Sequence, residues 1–163
     1  MSVGFVMLCH TALDRAALVA RHWAERDCPV VVHVDRRVRR RAFDGLVKTL
    51  SDLPNVRFSG RHACEWGTWG IVAATQEAST IMLRDFPEAR HIYLASGSCM
   101  PLRPVEELIS YLEARPRTDF IESVTTEDVG WTIGGLDLER FTLRFPFSWR
   151  KQRRLFDGYV RLQ

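Results

Sequence analysis

The sequence predicts an α/β fold in which a mostly parallel sheet is flanked by helices. Short continuous apolar runs, which are typical of strands buried on both faces, alternate with segments whose apolar residues recur at the helical period. This alternation favours parallel strands joined by helical crossovers. A chain of 163 residues is long enough for one domain with a sizeable core.

Five segments are predicted to form the strands of this sheet, at residues 3–8, 30–34, 56–59, 91–95 and 119–124. Helices are predicted at residues 11–27, 40–53 and about 69–85, and a fourth begins at Pro104. Thr11 is the expected N-cap of the first helix, and Pro29 prevents its continuation. Pro104 suits the first turn of the last helix, where Glu106 and Glu107 lie at the positive end of the helix dipole.

The regular alternation ends after residue 124. Residues 125–149 contain glycines and aromatic residues without a clear period, and a basic helix is expected within residues 150–162. We therefore separate an α/β portion, residues 1–124, from an irregular portion, residues 125–163, that ends in the basic helix.

Composition narrows the class of protein. The net charge is only +3, and the chain is 46% hydrophobic and 26% charged, which is ordinary for a soluble protein. Its four cysteines form no Cys-x-x-Cys pair, so a zinc ribbon is disfavoured and a reducing compartment without disulfides is expected. No signal peptide or membrane-length apolar run is visible, so we expect a cytoplasmic protein and leave peripheral membrane contact open.

Candidate binding residues follow three predicted strands. Asp35 ends the second strand, where a carboxylate can accept hydrogen bonds from a ribose or a base. Ser96 and Gly97 follow the fourth strand, and His10 follows the first. The alternative for Asp35 is a turn or capping role, and a lone histidine such as His10 is more often structural. Trp66 lies in a Trp-Gly turn, where its indole either packs into the core or faces a sugar.

A run of arginines follows Asp35 directly, at positions 36, 37, 39, 40 and 41. Guanidinium groups suit a diphosphate or an acidic acceptor. A solvated helix start is the favoured alternative, and nuclear localisation or nucleic-acid binding is a weaker one. Since the run lacks the stacking aromatic residues of a single-strand binder, no nucleic-acid partner is expected.

Several enzyme classes are disfavoured because their motifs are missing from the sequence. Neither a Gly-x-Gly-x-x-Gly turn nor a Walker A motif occurs, which argues against a nicotinamide dehydrogenase and a P-loop enzyme. No Asp-x-Asp ends a strand, so a metal-free mechanism is expected, in which arginine or lysine neutralises a diphosphate leaving group. Cys99 has no identifiable base beside it, which disfavours a cysteine nucleophile.

Four short motifs, in this order, resemble the core-2/I-branching β-1,6-N-acetylglucosaminyltransferase family, which also contains the peptide xylosyltransferases. The matching segments are His33-Val34-Asp35; Trp66-Gly67 with Val72-Ala73-Ala74; Ala95-Ser96-Gly97-Ser98-Cys99-Met100-Pro101-Leu102; and Phe120-Ile121-Glu122. The resemblance covers about residues 3–124. Thr68 stands in place of the second glycine of the family's Trp-Gly-Gly turn, and Cys99 replaces the aspartate of its Pro-Leu loop.

The resemblance implies a GT-A-like fold, a UDP-sugar donor, inversion at the sugar carbon and no required metal or other cofactor. Asp35 would contact the uridine, and Ser96 and Gly97 would line the donor pocket. N-acetylglucosamine is the favoured sugar and a glycan hydroxyl the acceptor. Residues 1–124 would then bind the nucleotide-sugar, and residues 125–163 would lead toward an acceptor half that this chain lacks.

The catalytic base stays unassigned, because the family's glutamate base belongs to a motif that this sequence does not contain. Glu65, Glu122 and Asp128 are carboxylates near loop ends, and we select none of them. The chain is therefore expected to be the N-terminal portion of such an enzyme or a shortened relative. A non-catalytic nucleotide-sugar-binding or interaction module is the alternative function, and self-association through the basic C-terminal segment is a further expectation.

Overall fold

Four strands and four helices alternate along the chain in a computed structural model that describes residues 3–65, 68–122 and 124. The elements are β1 (Val3–Cys9), α1 (Leu13–Ala24), β2 (Val30–Val34), α2 (Arg40–Thr49), β3 (Val56–Phe58), α3 (Gly70–Asp85), β4 (His91–Ser96) and α4 (Val105–Glu113). The α/β prediction is confirmed, and the arrangement is consistent with a GT-A-like domain.

All four strands are parallel, in the order β3-β2-β1-β4. Phe5 of β1 lies beside Val30 of β2 on one side and Tyr93 of β4 on the other. The connections after β1 and β2 run toward one edge of the sheet, whereas the connection after β3 crosses to the far side of β1. The gap between the carboxyl ends of β1 and β4 is therefore the point where the strand order reverses.

Helices cover both faces of the sheet. On one face, α1, α2 and α4 bury Trp23, Leu46 and Leu112 in the same cluster as one side of β1 and β2. On the other face, α3 buries Ala78 and Met82 against the opposite side of those strands. Because β1 and β2 are covered on both faces, they read as continuous apolar runs in the sequence.

The ends of α1 differ from their prediction. The helix begins at Leu13, because Ala12 adopts a left-handed conformation (φ 46°) and its carbonyl accepts the first helical hydrogen bond, from Ala16. Thr11 is therefore not the N-cap. The helix ends at Ala24 rather than at residue 27, because Asp27 is also left-handed (φ 58°) and the Cys28 amide closes onto the Trp23 carbonyl at 3.1 Å.

Three other predictions need correction. Helix α2 ends at Thr49, not at residue 53, since the chain must turn before Pro54. The helical period of residues 69–85 predicts that Ile71 faces inward, but it is 49% exposed, because it lies in the first turn of α3, beside the loop that precedes the helix. No strand forms at residues 119–122 or at 124; Phe120 and Ile121 are 51% and 81% exposed, so this segment lacks the buried face that a strand needs.

The other helical predictions hold more closely. Ala74, Ala78 and Met82 of α3 are buried, and Ile81 is partly buried. The helical period also predicts a buried apolar stripe on α4, and the structure contains it: Val105 and Leu112 are buried, and Leu108 and Ile109 pack against the same cluster.

By its internal contacts the chain divides into two units, residues 1–118 and 119–163. Trp66 and the expected basic helix within residues 150–162 lie outside the described residues. No helix within the described part of the chain is long and apolar enough to span a membrane.

Candidate functional site

Residues predicted from separate parts of the sequence meet at the carboxyl edge of the sheet. The Asp35 amide donates to the Cys9 carbonyl at 2.8 Å, and the Gly97 amide donates to the Leu8 carbonyl at 2.7 Å. Asp35 and Gly97 therefore flank the end of β1 on its two sides. His10 follows Cys9 directly, so the structure places Asp35, His10 and the Ser96-Gly97 turn on three neighbouring strand ends.

The reversal of strand order makes this edge a candidate ligand site. In open parallel sheets, ligands bind in the crevice outside the carboxyl ends of the strands where the order reverses. Here that position lies between the loop after β1, which carries His10 and Thr11, and the loop after β4, which carries Ser96 and Ser98. The His10, Thr11, Ser96 and Ser98 side chains are exposed, so polar groups from both loops can reach a ligand.

Asp35 is the most strongly bonded of the predicted residues. Its carboxylate accepts from the Arg37 amide at 2.7 Å, from the Arg37 guanidinium at 2.7 Å, and from the Cys64 amide at 3.2 Å. Burial opposes the carboxylate charge, but these hydrogen bonds outweigh it and lower the pKa of Asp35 to about 2. The side chain is only 3% exposed, whereas the Arg37 side chain that covers it is 53% exposed. Asp35 is thus an ionised, buried carboxylate behind an exposed guanidinium.

The segment after β3, residues 60–64, fixes the surroundings of Asp35. The His62 amide donates to Nε2 of His33 at 3.0 Å, and the Arg36 amide donates to the His62 carbonyl at 2.8 Å. Since Nε2 of His33 accepts this bond, the ring is neutral there. Burial, with a smaller effect from His62, lowers the pKa of His33 and favours that neutral form.

Helix α3 anchors the same segment through Glu77. Oε1 of Glu77 accepts from the Gly60 amide at 2.8 Å, and Oε2 contacts Nε2 of His62. The His62 side chain and the Gly60 amide hold the pKa of Glu77 below its usual range. At the start of α3, a Cβ on Gly70 would lie 2.1 Å from the Ala63 carbonyl oxygen, so only glycine allows this close approach.

The β4 end of the site depends on backbone packing. A Cβ on Gly97 would lie 2.8 Å from Sγ of Cys9, so the turn after β4 can rest directly on the end of β1 only with glycine at this position. Burial raises the pKa of the Cys9 thiol to about 12, which keeps it protonated and unreactive. Beyond Gly97, the Ser98 amide donates to Oγ of Ser96 at 3.2 Å.

The arginine run is divided between internal pairing and solvent exposure. Arg37 bonds Asp35, and Nε of Arg40 pairs with Oδ1 of Asp44 one helical turn away at 2.8 Å. Arg36, Arg39 and Arg41 are exposed. The run therefore begins α2 as a charged surface next to the carboxyl edge, with one of its members built into the site.

Metal-binding clusters were sought in the described parts of the chain. Across residues 3–65 and 68–122 and at Val124, no group of three or more His, Cys, Asp or Glu side chains is placed to hold a metal ion. Carboxylates at the described carboxyl edge include Asp35 and Glu77, and both are engaged by neighbouring groups. Of the carboxylates named from the sequence, Glu65 is half-buried beside Cys64, Glu122 lies in the second unit, and Asp128 lies outside the described residues.

An apolar cavity of about 430 Å³ lies away from these polar groups, on the sheet face covered by α1 and α4. Phe5, Trp23 and Tyr93 form its floor, and the chain from Cys99 to Leu108 forms much of its wall. Phe5 and Tyr93 lie in mid-strand rather than at the carboxyl edge. We therefore place the candidate ligand site at the edge and not in this cavity.

Sequence reasoning missed the residues that support Asp35: Arg61, His62, Cys64 and Glu77. The feature that could have identified this segment is the parallel order of the strands. Residues 60–64 follow β3, and parallel neighbours place their carboxyl ends together, so this segment had to lie beside Asp35. Which of its side chains turn inward depends on packing against α3, and the sequence pattern does not contain that information.

The chain matches a known family over most of its length. A protein-family model described as "Branch: Core-2/I-Branching enzyme" matches residues 3–142, a span that begins with β1 and includes every helix and strand described above. A search of curated proteins gives no significant match.

Proposed function

The chain belongs to the core-2/I-branching family of glycosyltransferases, and on that premise we propose that it binds a UDP-sugar and supports an inverting, metal-independent transfer. N-acetylglucosamine is the sugar we favour, and a glycan hydroxyl is the acceptor. The observation that carries this proposal is the ionised Asp35 carboxylate, separated only by the end of β1 from the Ser96-Gly97 turn at the edge where the strand order reverses.

The chemistry of uridine fits these groups. Uracil presents an N–H donor between two carbonyl acceptors, and ribose presents hydroxyl donors. The exposed Arg37 guanidinium can donate to a uracil carbonyl, and the ionised Asp35 carboxylate behind it can accept from the N–H or from a hydroxyl when Arg37 turns toward the ligand. Adenine offers neither an imide N–H nor a carbonyl oxygen, so UDP should be preferred to ADP. Ser96, Gly97 and His10 would then lie along the ribose and diphosphate.

Transfer requires a base and charge stabilisation. In the proposed reaction an acceptor hydroxyl loses its proton to a carboxylate base and its oxygen attacks the anomeric carbon, while the bond to UDP breaks and the diphosphate leaves as an anion. Arginine side chains would neutralise that anion without a metal. We assign no residue as the base, because Asp35 and Glu77 both serve neighbouring groups.

Calorimetric titration tests the donor proposal. UDP should bind more tightly than ADP or GDP, and addition of EDTA should leave its affinity unchanged. Replacing Asp35 by Ala should weaken UDP by about 1–3 kcal/mol, the scale of a lost hydrogen bond to a charged group. Equal UDP affinity in a folded Asp35→Ala protein would remove this residue from the site, and loss of binding in EDTA would contradict the metal-free mechanism.

The alternative is a nucleotide-sugar-binding module without catalysis. This alternative is favoured because both carboxylates at the edge are already bonded to neighbouring groups. Incubation with UDP-N-acetylglucosamine or UDP-xylose separates the two functions. Release of UDP, in transfer to a glycan or in hydrolysis, supports an enzyme. Binding of the same donors without turnover supports the module. Comparison of the two donors also tests the preferred sugar.

The remaining partner assignments are also proposals. We propose a cytoplasmic protein with a glycan or glycoconjugate acceptor, no nucleic-acid partner, and contacts with a membrane surface or a second copy as additional partners. The exposed Arg36, Arg39 and Arg41 side chains could support membrane contact. Sedimentation with anionic and with neutral vesicles would test it, and binding to both kinds equally would argue against an electrostatic contact.

A further inference from the structure

Arg61 organises the loop that follows β2. Its Nε donates to the Val34 carbonyl at 3.3 Å, and its Nη2 donates to the carbonyls of Asp35 at 2.9 Å and Arg36 at 3.2 Å. Nη2 also bonds the Val38 carbonyl. One guanidinium thus gathers four carbonyl oxygens from five consecutive residues. Few donors other than a planar guanidinium could reach so many acceptors from one position.

The guanidinium is itself held in place by α2 and β3. Cζ of Arg61 lies 4.8 Å from the centre of the Phe43 ring, a cation–π contact. Phe43 in turn meets Phe58 of β3 edge to face at 5.8 Å. None of the contacts that the structure gives Arg61, among the residues it describes, is with a carboxylate. Its bonding capacity therefore goes to the backbone of the loop and not to an ion pair.

The shape of that loop determines where the Asp35 carboxylate points. Turning the carbonyls of residues 34, 35, 36 and 38 toward Arg61 leaves the Arg37 amide free to face the Asp35 side chain, which it bonds at 2.7 Å. Arg61 also lies on the same segment as Cys64, whose amide bonds the other carboxylate oxygen. Loop and segment are thus fastened together on both sides of Asp35.

We propose that Arg61 is a positioning residue for the donor site: it holds the 35–38 loop in the shape that places the buried, ionised Asp35 carboxylate, and the exposed Arg37 guanidinium that covers it, at the donor site. The identity of the ligand in this proposal rests on the proposed function, whereas the effect of Arg61 on the Asp35 carboxylate does not. Arg61 does not contact the donor. It acts through the loop backbone, so its loss should weaken binding by misplacing Asp35.

Arg57, in β3 just before the segment that carries Arg61, provides a control with similar backbone contacts. Its Nη1 also donates to two carbonyls, of Pro54 at 2.7 Å and Val56 at 2.9 Å, and its Cζ lies 5.1 Å from the centre of the Phe86 ring. These contacts are near the start of β3, at the opposite edge of the sheet from Asp35. Truncation of Arg57 removes similar backbone and ring contacts, and also an ion pair between its Nε and Oδ2 of Asp85 at 3.3 Å, without touching the candidate site.

The test compares Arg61→Met, Arg61→Lys and Arg57→Met with the wild type. Each protein is titrated with UDP by calorimetry, and the Asp35 carboxyl is titrated with acid by ¹³C NMR. We expect Arg61→Met to weaken UDP about tenfold or more, the factor that corresponds to about 1.4 kcal/mol, and to move the Asp35 pKa upward from about 2 toward its ordinary value. Arg57→Met should change the UDP affinity by no more than about twofold and the Asp35 pKa by no more than about a few tenths of a unit.

Arg61→Lys should recover part of the UDP affinity, because an ammonium can reach some of the carbonyls but not all four. If Arg61→Met does not fold, Phe43→Leu removes the aromatic platform and should weaken UDP in the same direction by a smaller factor. A folded Arg61→Met protein with wild-type UDP affinity and an unchanged Asp35 pKa would overturn the proposal. An equal loss of UDP affinity in Arg57→Met would also overturn it, because the effect would then be one of general stability.

Failure of the donor proposal is distinguishable from failure of this one. If wild-type protein does not bind UDP, the proposed function is wrong, but the acid titration of Asp35 still reports whether Arg61 sets its environment. If wild-type protein binds UDP and the Asp35 pKa does not respond to Arg61→Met, only the positioning role is wrong.

Discussion

The two loops that flank the end of β1 are built in opposite ways. On the β2 side, Asp35 is buried, ionised and bonded to Arg37 and Cys64. On the β4 side, Ser96 is exposed and forms a weak bond within its own turn, while Gly97 packs directly on Cys9. The β2 side of the candidate site is held by hydrogen bonds to a buried side chain, whereas the β4 side is held by backbone contacts, which include the bond from the Gly97 amide to the Leu8 carbonyl.

This difference suggests a division of labour. A preorganised carboxylate loses little entropy on meeting a ligand, so it suits recognition of the invariant nucleoside part of a donor. An exposed turn of small residues can adapt to groups that change during a reaction, such as a diphosphate that leaves. The predictions below test that contrast, beginning with the largest expected effect.

The β2 side should contribute far more to stability than the β4 side. Asp35→Ala removes the acceptor of the Arg37 and Cys64 bonds, and we expect it to lower the free energy of unfolding by about 2–3 kcal/mol. Ser96→Ala should change it by less than about 0.5 kcal/mol, as is usual for exposed positions. Urea denaturation of both variants measures the difference. Similar losses for the two would show that the sides are not built differently.

A pair of glycine variants tests how tightly the β4 side is packed, through their effects on stability. Gly97→Ala places a Cβ 2.8 Å from Sγ of Cys9 and should lower stability by about 1–3 kcal/mol, the cost of overpacking. Gly45→Ala in α2 meets nothing within 4 Å and should raise it by up to about 1 kcal/mol. Cys9→Ala combined with Gly97→Ala should recover part of the loss. Additive losses in that double variant would contradict the close contact.

The β2 side should also depend on pH through His33. Because the folded state lowers the pKa of His33, its contribution is fully present above the unfolded value of about 6.5 and is lost as the pH falls through the folded value. Protonation removes the acceptor that the His62 amide uses. Stability should therefore fall as the pH drops below about 6.5 in the wild type and fall less in His33→Gln. The same decline in both proteins would assign the effect to other groups.

The smallest effect expected is on ligand binding at the exposed turn. Ser96→Ala removes one hydroxyl that can contact the donor directly, and it should weaken UDP by about 0.5–1 kcal/mol while leaving the melting temperature unchanged. Calorimetry and a thermal melt measure the two quantities. A loss as large as that of Asp35→Ala would place the main recognition on the β4 side instead.

The sequence contained most of the fold but only part of the site. Continuous apolar runs such as residues 30–34 identified strands covered on both faces, and parallel order followed from the helical crossovers. Asp35 and Ser96 could be named because they end such runs. Trp66, predicted either for the core or for sugar contact, lies outside the described residues and stays a prediction.

The missing part consists of contacts between segments that are distant in the sequence. Arg61 bonds carbonyls 23 to 27 residues earlier, and Glu77 reaches back 15 residues to His62. Nothing in a local pattern distinguishes Arg61, which is bonded to the backbone, from the solvated Arg41. The start of α1 was missed for a similar reason, since a left-handed Ala12 has no sequence signature comparable to that of glycine.

Amide chemical-shift mapping with UDP tests the central claim most directly. If the nucleotide lies across the carboxyl edge, UDP should shift the amides of Arg37 and Cys64 on one side of β1 and those of Gly97 and Ser98 on the other. The amide of Arg57, near the opposite edge of the sheet, should not move. Shifts confined to the amino edge or to the cavity beside Tyr93, or no saturable shifts at any UDP concentration, would contradict a nucleotide-sugar site at this edge.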